Sequence, residues 1–338
     1  MSPRLLLLSC CAAGALLASS ISLAADCEAD GDVRFLCGPV SPEDLAVVPD
    51  SPWLIASGME DDGFLYLADT RDFSSSVLYP TANARPQHDT AMYGGCSGPD
   101  MSGFRPHGIN LVREADGSQT LYVVRHGARE AIEVFIIDRA GTAPSLTWVG
   151  CVMAPESVVF NSVVGLPGGG IAATHMQLPS GAVWEWQPGQ DWTEVPGSET
   201  AGPNGLEVSA DGRWFYIGGW GTRSLIRLSR GQVQVQKQSV DVGHHIDNVR
   251  WAPDGTLFAA GHVGPEMSSI IQCMNQRQCD GVSSRVTRVD PETLSAQLIV
   301  NYPSNAHLIL GTVAIQVDDE IWVGGIAGGD RIARFAAP

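Results

Sequence analysis

Lysine is almost absent from this chain. Lys237 is the only one in 338 residues, so Schiff-base chemistry has a single candidate. It lies in the polar stretch Gln232–Ser239, where a solvated strand edge is the expected setting. Positive charge is scarce in general: 20 Lys and Arg stand against 37 Asp and Glu, a formal net charge of −17. That balance argues against nucleic acid or an anionic membrane surface as partner. Beyond the N-terminal region no stretch reaches the ~18 to 20 apolar residues that span a bilayer, so no membrane span is expected. Several catalytic signatures are missing too. There is no G-x-S-x-G nucleophile elbow (Gly95-Cys96-Ser97-Gly98 only approximates one), no H-E-x-x-H, no G-x-x-x-x-G-K-[ST] and no dinucleotide fingerprint after a strand. No C-x-x-C pair has zinc-ligand spacing. Glu60-Asp61-Asp62-Gly63 lacks the alternating ligands of a calcium loop and reads as a solvated turn.

Residues 1–25 read as a secretory signal, with Arg4 as the positive n-region, Leu5–Leu8 opening an apolar core, and Ser22-Leu23-Ala24 as a small-residue cleavage site. Leu7-Leu8-Ser9-Cys10 resembles a lipoprotein box only faintly and lies too early for a full apolar core. The mature chain, 26–338, is expected to be a single domain, secreted or periplasmic. It keeps six cysteines, Cys27, Cys37, Cys96, Cys151, Cys273 and Cys279, and an even number in an exported chain points to disulfides. Pairs close in sequence, Cys27–Cys37 and Cys273–Cys279, would leave Cys96 with Cys151, one of the many pairings that six cysteines allow.

Glycine, by contrast, is abundant, at 38 residues, and it punctuates a repeat. Six apolar runs begin alike: PEDLAVVPD (42–50), PHGINLV (106–112), FNSVVGLPGG (160–169), PNGLEVSADG (203–212), IDNVRWAPDG (246–255) and LGTVAIQVDD (310–319). Each leads through a turn to a second apolar run, at 53–57, 121–126, 170–175, 214–220, 257–262 and 321–325. A third follows at 64–69, 132–138, 182–188, 224–230, 285–290 and 331–335. Short strands joined by DG and GG turns, repeating in units of this length, predict an all-β fold, a six-bladed β-propeller with little helix. Two insertions, Thr81–Gly103 and Val263–Ser284, are long enough to be lids over a pocket or decoration.

Two residues before the first core residue of each unit stand Glu43, His107, Asn161, Asn204, Asp247 and Gly311. If the same strand of every blade lines the central axis, these side chains, with Asn248 beside Asp247, converge there. Glu43, Asn161, Asn204, Asp247 and Asn248 then offer carboxylate and amide oxygens to one axial metal site. Such a mixture suits calcium far better than zinc or copper. Any one of these polar residues alone would be an ordinary strand-start residue; it is the shared phase that argues for a metal. His107 shares that phase, and His126 ends the neighbouring strand of its blade, so one ring can orient the other as a general base toward water. The alternative is a pair of satisfied core histidines. His175 and His262 hold the matching strand-end position, and His244 and His245 precede Asp247, which suggests a polar pocket mouth.

These stretches, with Pro42-Glu43-Asp44-Leu45, Pro106-His107-Gly108-Ile109, Val123-Val124-Arg125-His126, Asn204-Gly205, Asp247-Asn248 and Gly311-Thr312-Val313-Ala314 in order along the chain, resemble the paraoxonase/arylesterase family, within the gluconolactonase- and strictosidine-synthase-like propellers. The resemblance implies a catalytic calcium on Glu43, Asn161, Asn204, Asp247 and Asn248, and His107 with His126 as a dyad for lactone hydrolysis. It also implies a second, structural calcium, yet Ser162 stands where that site needs a carboxylate and only Asp44 keeps one. The family's disulfide joining the chain ends has no partner, since no cysteine follows Cys279. Met59-Glu60-Asp61 replaces a more basic and aromatic rim, which implies a different substrate.

The expectation is therefore a calcium-dependent hydrolase of lactones or aryl esters, acting on a small molecule and monomeric, with His107 and His126 catalytic and Asp247 as the alternative base. A sugar-lactone hydrolase of the gluconolactonase type would share the axial metal and differ in the pocket. A non-enzymatic propeller that binds a ligand or a protein would not need the polar axis.

Overall fold

A computed structural model describes residues 27–82 and 84–338; the expected signal segment lies outside the described residues. The chain forms six sheets, antiparallel but for one short parallel edge strand in the second, arranged as a six-bladed β-propeller. The innermost strands are Pro42–Val47, Phe104–Arg113, Phe160–Leu166, Pro203–Val208, His245–Trp251 and Leu310–Val317, in blades 1 to 6. They pack against one another in chain order around the axis, the sixth returning to the first. The second and third apolar runs read from the sequence are the second and third strands, for example Gly170–His175 and Ala182–Trp186 of blade 3.

Second strands are rich in Ala and Gly because the blades converge toward the axis and leave little room between sheets. Ala56, Ala172, Ala173, Ala259 and Ala260 are fully buried there. A Cβ on Gly218 would stand 2.6 Å from Ile246 of the next blade, and one on Gly324 would stand 2.1 Å from the Pro42 carbonyl. Larger side chains fill the gaps between blades: Phe135 and Trp148 between blades 1 and 2, Tyr122 and Phe160 between 2 and 3, Phe215 between 3 and 4. Six such clusters occupy the six gaps, so each blade buries both faces against neighbours.

The outer edge strands carry the weakest sequence pattern. In blade 4 that strand is Lys237–Asp241, almost wholly exposed, and Lys237 caps the carbonyls of Gly197 and Glu199 at 2.9 and 2.8 Å. In blade 6 the outer place is taken by Arg34–Cys37 from the other end of the chain, antiparallel to Arg331–Ala336, and this closes the ring. The disulfides are Cys27–Cys37, Cys96–Cys151 and Cys273–Cys279, the pairing expected from spacing.

The insertions take different courses. Residues 81–103 run along the outer edge of blade 2, where Arg85–Pro86 pairs in parallel with the fourth strand and Cys96 is bonded to Cys151. The end of that segment turns inward, where the Gly98, Asp100 and Ser102 carbonyls accept from Arg129 and Arg125 on either side of His126. Residues 263–284 hold the one helix among the described residues, Met267–Gln276, whose Ile270 and Cys273 pack on Ile309, Leu310 and Ile326. No helix among the described residues is long and apolar enough to cross a membrane.

Two glycines let the inner strands touch. A Cβ on Gly108 would lie 2.5 Å from the Asn161 carbonyl, and one on Gly205 would lie 2.6 Å from both the Asp247 carbonyl and the Val249 nitrogen. These contacts are backbone, which cannot rotate away. Gly205→Ala is expected to lower unfolding free energy by about 1–3 kcal/mol, read by urea denaturation. A variant as stable as the parent would show that the blades have room to part.

Candidate metal centre

In every blade the pairing between first and second strand slips at the polar position. The shifts fall between Pro42 and Asp44, Pro106 and Ile109, Phe160 and Val163, Pro203 and Leu206, Ile246 and Val249, and Gly311 and Val313. A bulge frees backbone groups and re-aims the side chain at that point. The freed groups are satisfied from neighbouring strands and blades. Asp44 accepts from the Ile109 N–H at 2.7 Å, Ser162 from the Leu206 N–H at 3.2 Å, and Ser284 from the Gly311 N–H at 2.8 Å. Thr174 donates to the Asn204 carbonyl at 2.6 Å and Thr312 to the Glu43 carbonyl at 2.7 Å.

The side chains so aimed are Glu43, Asn161, Asn204, Asp247 and Asn248, all buried. The Asn248 amide donates to Glu43 Oε1 at 2.6 Å, joining blade 5 to blade 1, and the Asn204 amide donates to Asp247 Oδ1 at 2.9 Å. The Nδ2 atoms of Asn161 and Asn204 both lie against the Met176 sulfur, at 3.6 and 3.7 Å. Each amide thus spends its NH2 group on a neighbour. Its oxygen does not: Glu43 Oε2, Asn161 Oδ1, Asn204 Oδ1 and Asn248 Oδ1 are buried without a hydrogen-bond partner.

One orphaned buried oxygen costs about 1–3 kcal/mol, so four together at the axis call for a shared partner. A hard cation with a preference for oxygen would satisfy them at once, and the mixture of amide and carboxylate oxygens fits calcium. Among the described residues no group of three or more His, Cys, Asp or Glu side chains is placed to hold a metal ion, so a cation here depends on amide oxygens. The electrostatics agree. Burial, with Asp44 and Asp247 nearby, pushes the Glu43 carboxyl well above the ordinary range, and burial pushes Asp247 up to about 7.

Beside this set lies a chain of hydrogen-bonded side chains. His126 Nδ1 is 2.7 Å from the Glu130 carboxylate, and His126 Nε2 is 2.8 Å from His107 Nδ1. A carboxylate accepts, so Nδ1 of His126 carries the hydrogen and its Nε2 offers a lone pair to His107 Nδ1–H. That leaves a lone pair on His107 Nε2, which lies 3.8 Å from Glu43 Oε1. Burial, with the His126 ring and Arg105 adding to it, holds His107 well below the usual imidazole value, which favours the neutral ring.

The other histidines divide. His262 reaches the axis, its Nδ1 3.9 Å from Asp247 Oδ2, while its Nε2 accepts from the Trp220 indole at 3.3 Å. Burial lowers it to about 4, so it stays neutral. His245 packs on the Trp220 ring with centroids 4.6 Å apart, forming a wall next to His262. His175 does not join them: its ring bonds the Val159 backbone and Gln177, because Met176 and not His175 turns toward the Asn161 and Asn204 amides. His244 is fully buried, between the carbonyls of Val242 and Ala259.

Glu130, Met176 and Trp220 were not anticipated from the sequence. Glu130 stands four residues after His126 with no repeat to mark it, Met176 falls one residue beyond the run 170–175, and Trp220 closes the run 214–220, where it reads as one more apolar strand residue.

No protein-family model matches this chain, and no curated protein matches it. Solved structures do match by fold. A putative gluconolactonase aligns over 90% of this chain and 92% of its own, at 14% identity and TM-score 0.55. Luciferin-regenerating enzyme aligns over 89% and 94%, at 11% identity and TM-score 0.55. A protein of unknown function from Bacteroides thetaiotaomicron aligns over 92% and 73%, at 12% identity and TM-score 0.54. At these identities the likeness shows the fold alone: the chain shares the six-bladed propeller of these proteins.

His244 provides a test away from the ligands. Burial lowers it to about 4, against the carbonyl bonds that favour the charged form and with Arg285 and His245 disfavouring it further. The unfolded chain therefore binds the extra proton first as pH falls. The neutral ring's contribution, on the order of 3 kcal/mol, is complete above about 6.5 and is lost as pH drops toward 4. His244→Gln is expected to flatten the stability-versus-pH slope in that window, measured by denaturant unfolding. An unchanged slope would mean that His244 is not buried as described.

Proposed function

We propose that this protein is a calcium-dependent hydrolase of lactones or aryl esters. The observation that carries the proposal is the set of four partnerless buried oxygens on Glu43, Asn161, Asn204 and Asn248, placed beside a neutral histidine with its lone pair free. Glu43, Asn161, Asn204, Asp247 and Asn248 would hold the ion. Bound there, calcium supplies Lewis acidity toward a carbonyl oxygen and stabilises the negative charge that develops on it.

The chain's own residues supply the rest. Glu130 fixes His126, and His126 fixes His107, so that Nε2 of His107 takes a proton from an attacking water. The water oxygen bonds to the carbonyl carbon, the ester C–O bond breaks, and the proton held on His107 passes to the departing alkoxide or phenoxide. In a lactone that oxygen stays tethered, and the product is a hydroxy acid. Trp220, His245 and Met176 border the site with flat and polarisable surface, which favours an apolar or aromatic substrate over a heavily hydroxylated one. A sugar lactone, the substrate class in the name of one fold neighbour, is the second reading. Three disulfides support assignment to an oxidising compartment, secreted or periplasmic.

A panel of aliphatic lactones, sugar lactones and aryl esters should be hydrolysed by the purified protein, lost on chelation and restored by calcium. Asn204→Ala should fold, bind calcium more weakly and lose turnover. Full calcium content and full activity in that variant would remove Asn204 from the ligand set.

The base has its own test. His107→Gln should lower kcat by about 10²–10⁴-fold with calcium content unchanged, and Glu130→Gln should give a smaller loss. A His107→Gln enzyme with unaltered kcat would move the base to Asp247.

A further inference from the structure

Below the ligand oxygens the axis is filled by a guanidinium. Arg250 leaves the innermost strand of blade 5 two residues after Asn248, and its side chain is buried. Its Nη2 donates to Asp44 Oδ2 of blade 1 and, at 2.8 Å, to the Ile109 carbonyl of blade 2. Its Nη1 lies 3.4 Å from Glu207 Oε1 of blade 4 and donates at 2.8 Å to the Val249 carbonyl of its own strand. One side chain therefore ties the innermost strands of four of the six blades. On its far side a cavity of about 440 Å³, bordered by Leu45, Asn110, Trp251 and Gln316, opens at the opposite end of the axis.

The second calcium that the sequence resemblance implies does not fit here. Its remaining carboxylate, Asp44, is already paired with the guanidinium and with the Ile109 N–H. Residue 162, which would bring the other carboxylate, is a serine whose hydroxyl accepts from the Leu206 N–H. The oxygens that could face an ion at this level are spent, and a positive charge already stands among them.

We infer that Arg250 is a permanent internal cation that takes the place of a structural metal ion in the axial channel, bonding the blades through its own side chain. The channel then admits a divalent ion only at the level of Glu43, Asn161, Asn204, Asp247 and Asn248. Holding the ring together and holding the reactive ion become separate tasks, and the upper ion can be stripped and replaced without unfolding the scaffold. This inference shares the channel with the proposed function but not its reaction.

Calcium bound per chain, measured by equilibrium dialysis with ⁴⁵Ca on the full mature protein, decides it. The parent is expected to bind one ion, and Arg250→Ala combined with Ser162→Asp is expected to bind one more than the parent. If the double variant does not fold, thermal melting of the parent with and without chelator answers instead. The chelated parent should keep a cooperative transition. Two ions on the parent, an unchanged count on the folded double variant, or loss of cooperative melting on chelation would each overturn the inference. One ion bound with no hydrolysis of any ester would remove the proposed activity and leave Arg250 in its role. No ion on the parent and one on the double variant would remove the upper site and still support it.

Discussion

Charge buried on the axis has to be balanced, and most of what is particular to this propeller follows from that requirement. Glu43, Asp44, Glu207 and Asp247 are all buried around the channel, and Arg250 is the guanidinium that faces them. A carboxylate withdrawn from water without a counter-charge either takes up a proton or destabilises the fold. Asp44 and Glu207 meet Arg250. Glu43 and Asp247 form no ion pair with it, and burial raises all four carboxyls toward the neutral form, Glu207 and Asp247 each to about 7. The channel thus has one layer of carboxyls with a cation of its own and a second layer without one. Small residues in the second strands and the glycines after His107 and Asn204 let the strands come close enough for both layers to exist.

Much of this was legible in the sequence, for a definable reason. A propeller repeats its strands at the same radius, so residues with the same function recur at the same phase, and Glu43, Asn161, Asn204 and Asp247 fall into line without coordinates. Second strands advertise themselves through runs such as GIAATH and LFAAGH, where the wedge between blades demands small side chains. The outer strands do not: Lys237–Asp241 is exposed on an edge, and an exposed strand need not alternate. Arg250 was also illegible. An arginine next to a hydrophobic strand reads as a surface residue until the three other blades that supply its partners are in place. Glu130 and Met176 lie outside the repeat, so no period could flag them.

The likeness to other propellers at 11–14% identity shows how little of the sequence the scaffold itself constrains. Six wedge-shaped sheets need apolar faces and tight turns, and many sequences supply those. Chemistry rests on the few residues that point down the axis. Here the residues proposed for that role are a set of amide and carboxylate oxygens, a histidine aligned by a second histidine and a glutamate, and a wall of Trp220 with His245.

The seam of the ring has a mechanical meaning. Blade 6 is completed by Arg34–Cys37 lying along Arg331–Ala336, with Phe35 and Leu36 as the buried plugs. The nearby disulfide, Cys27–Cys37, links two residues of the same terminal segment, so no covalent bond crosses the seam through it. The closure is a latch of hydrogen bonds and apolar side chains, with Val33 packed beside Phe35 and Asp30 bonded to Tyr302 and Asn305. A pull on the two ends loads that latch directly, since its two strands belong to the two terminal segments. In a concentrated solution of unfinished chains, the same strand could fasten a neighbour's sixth blade in place of its own.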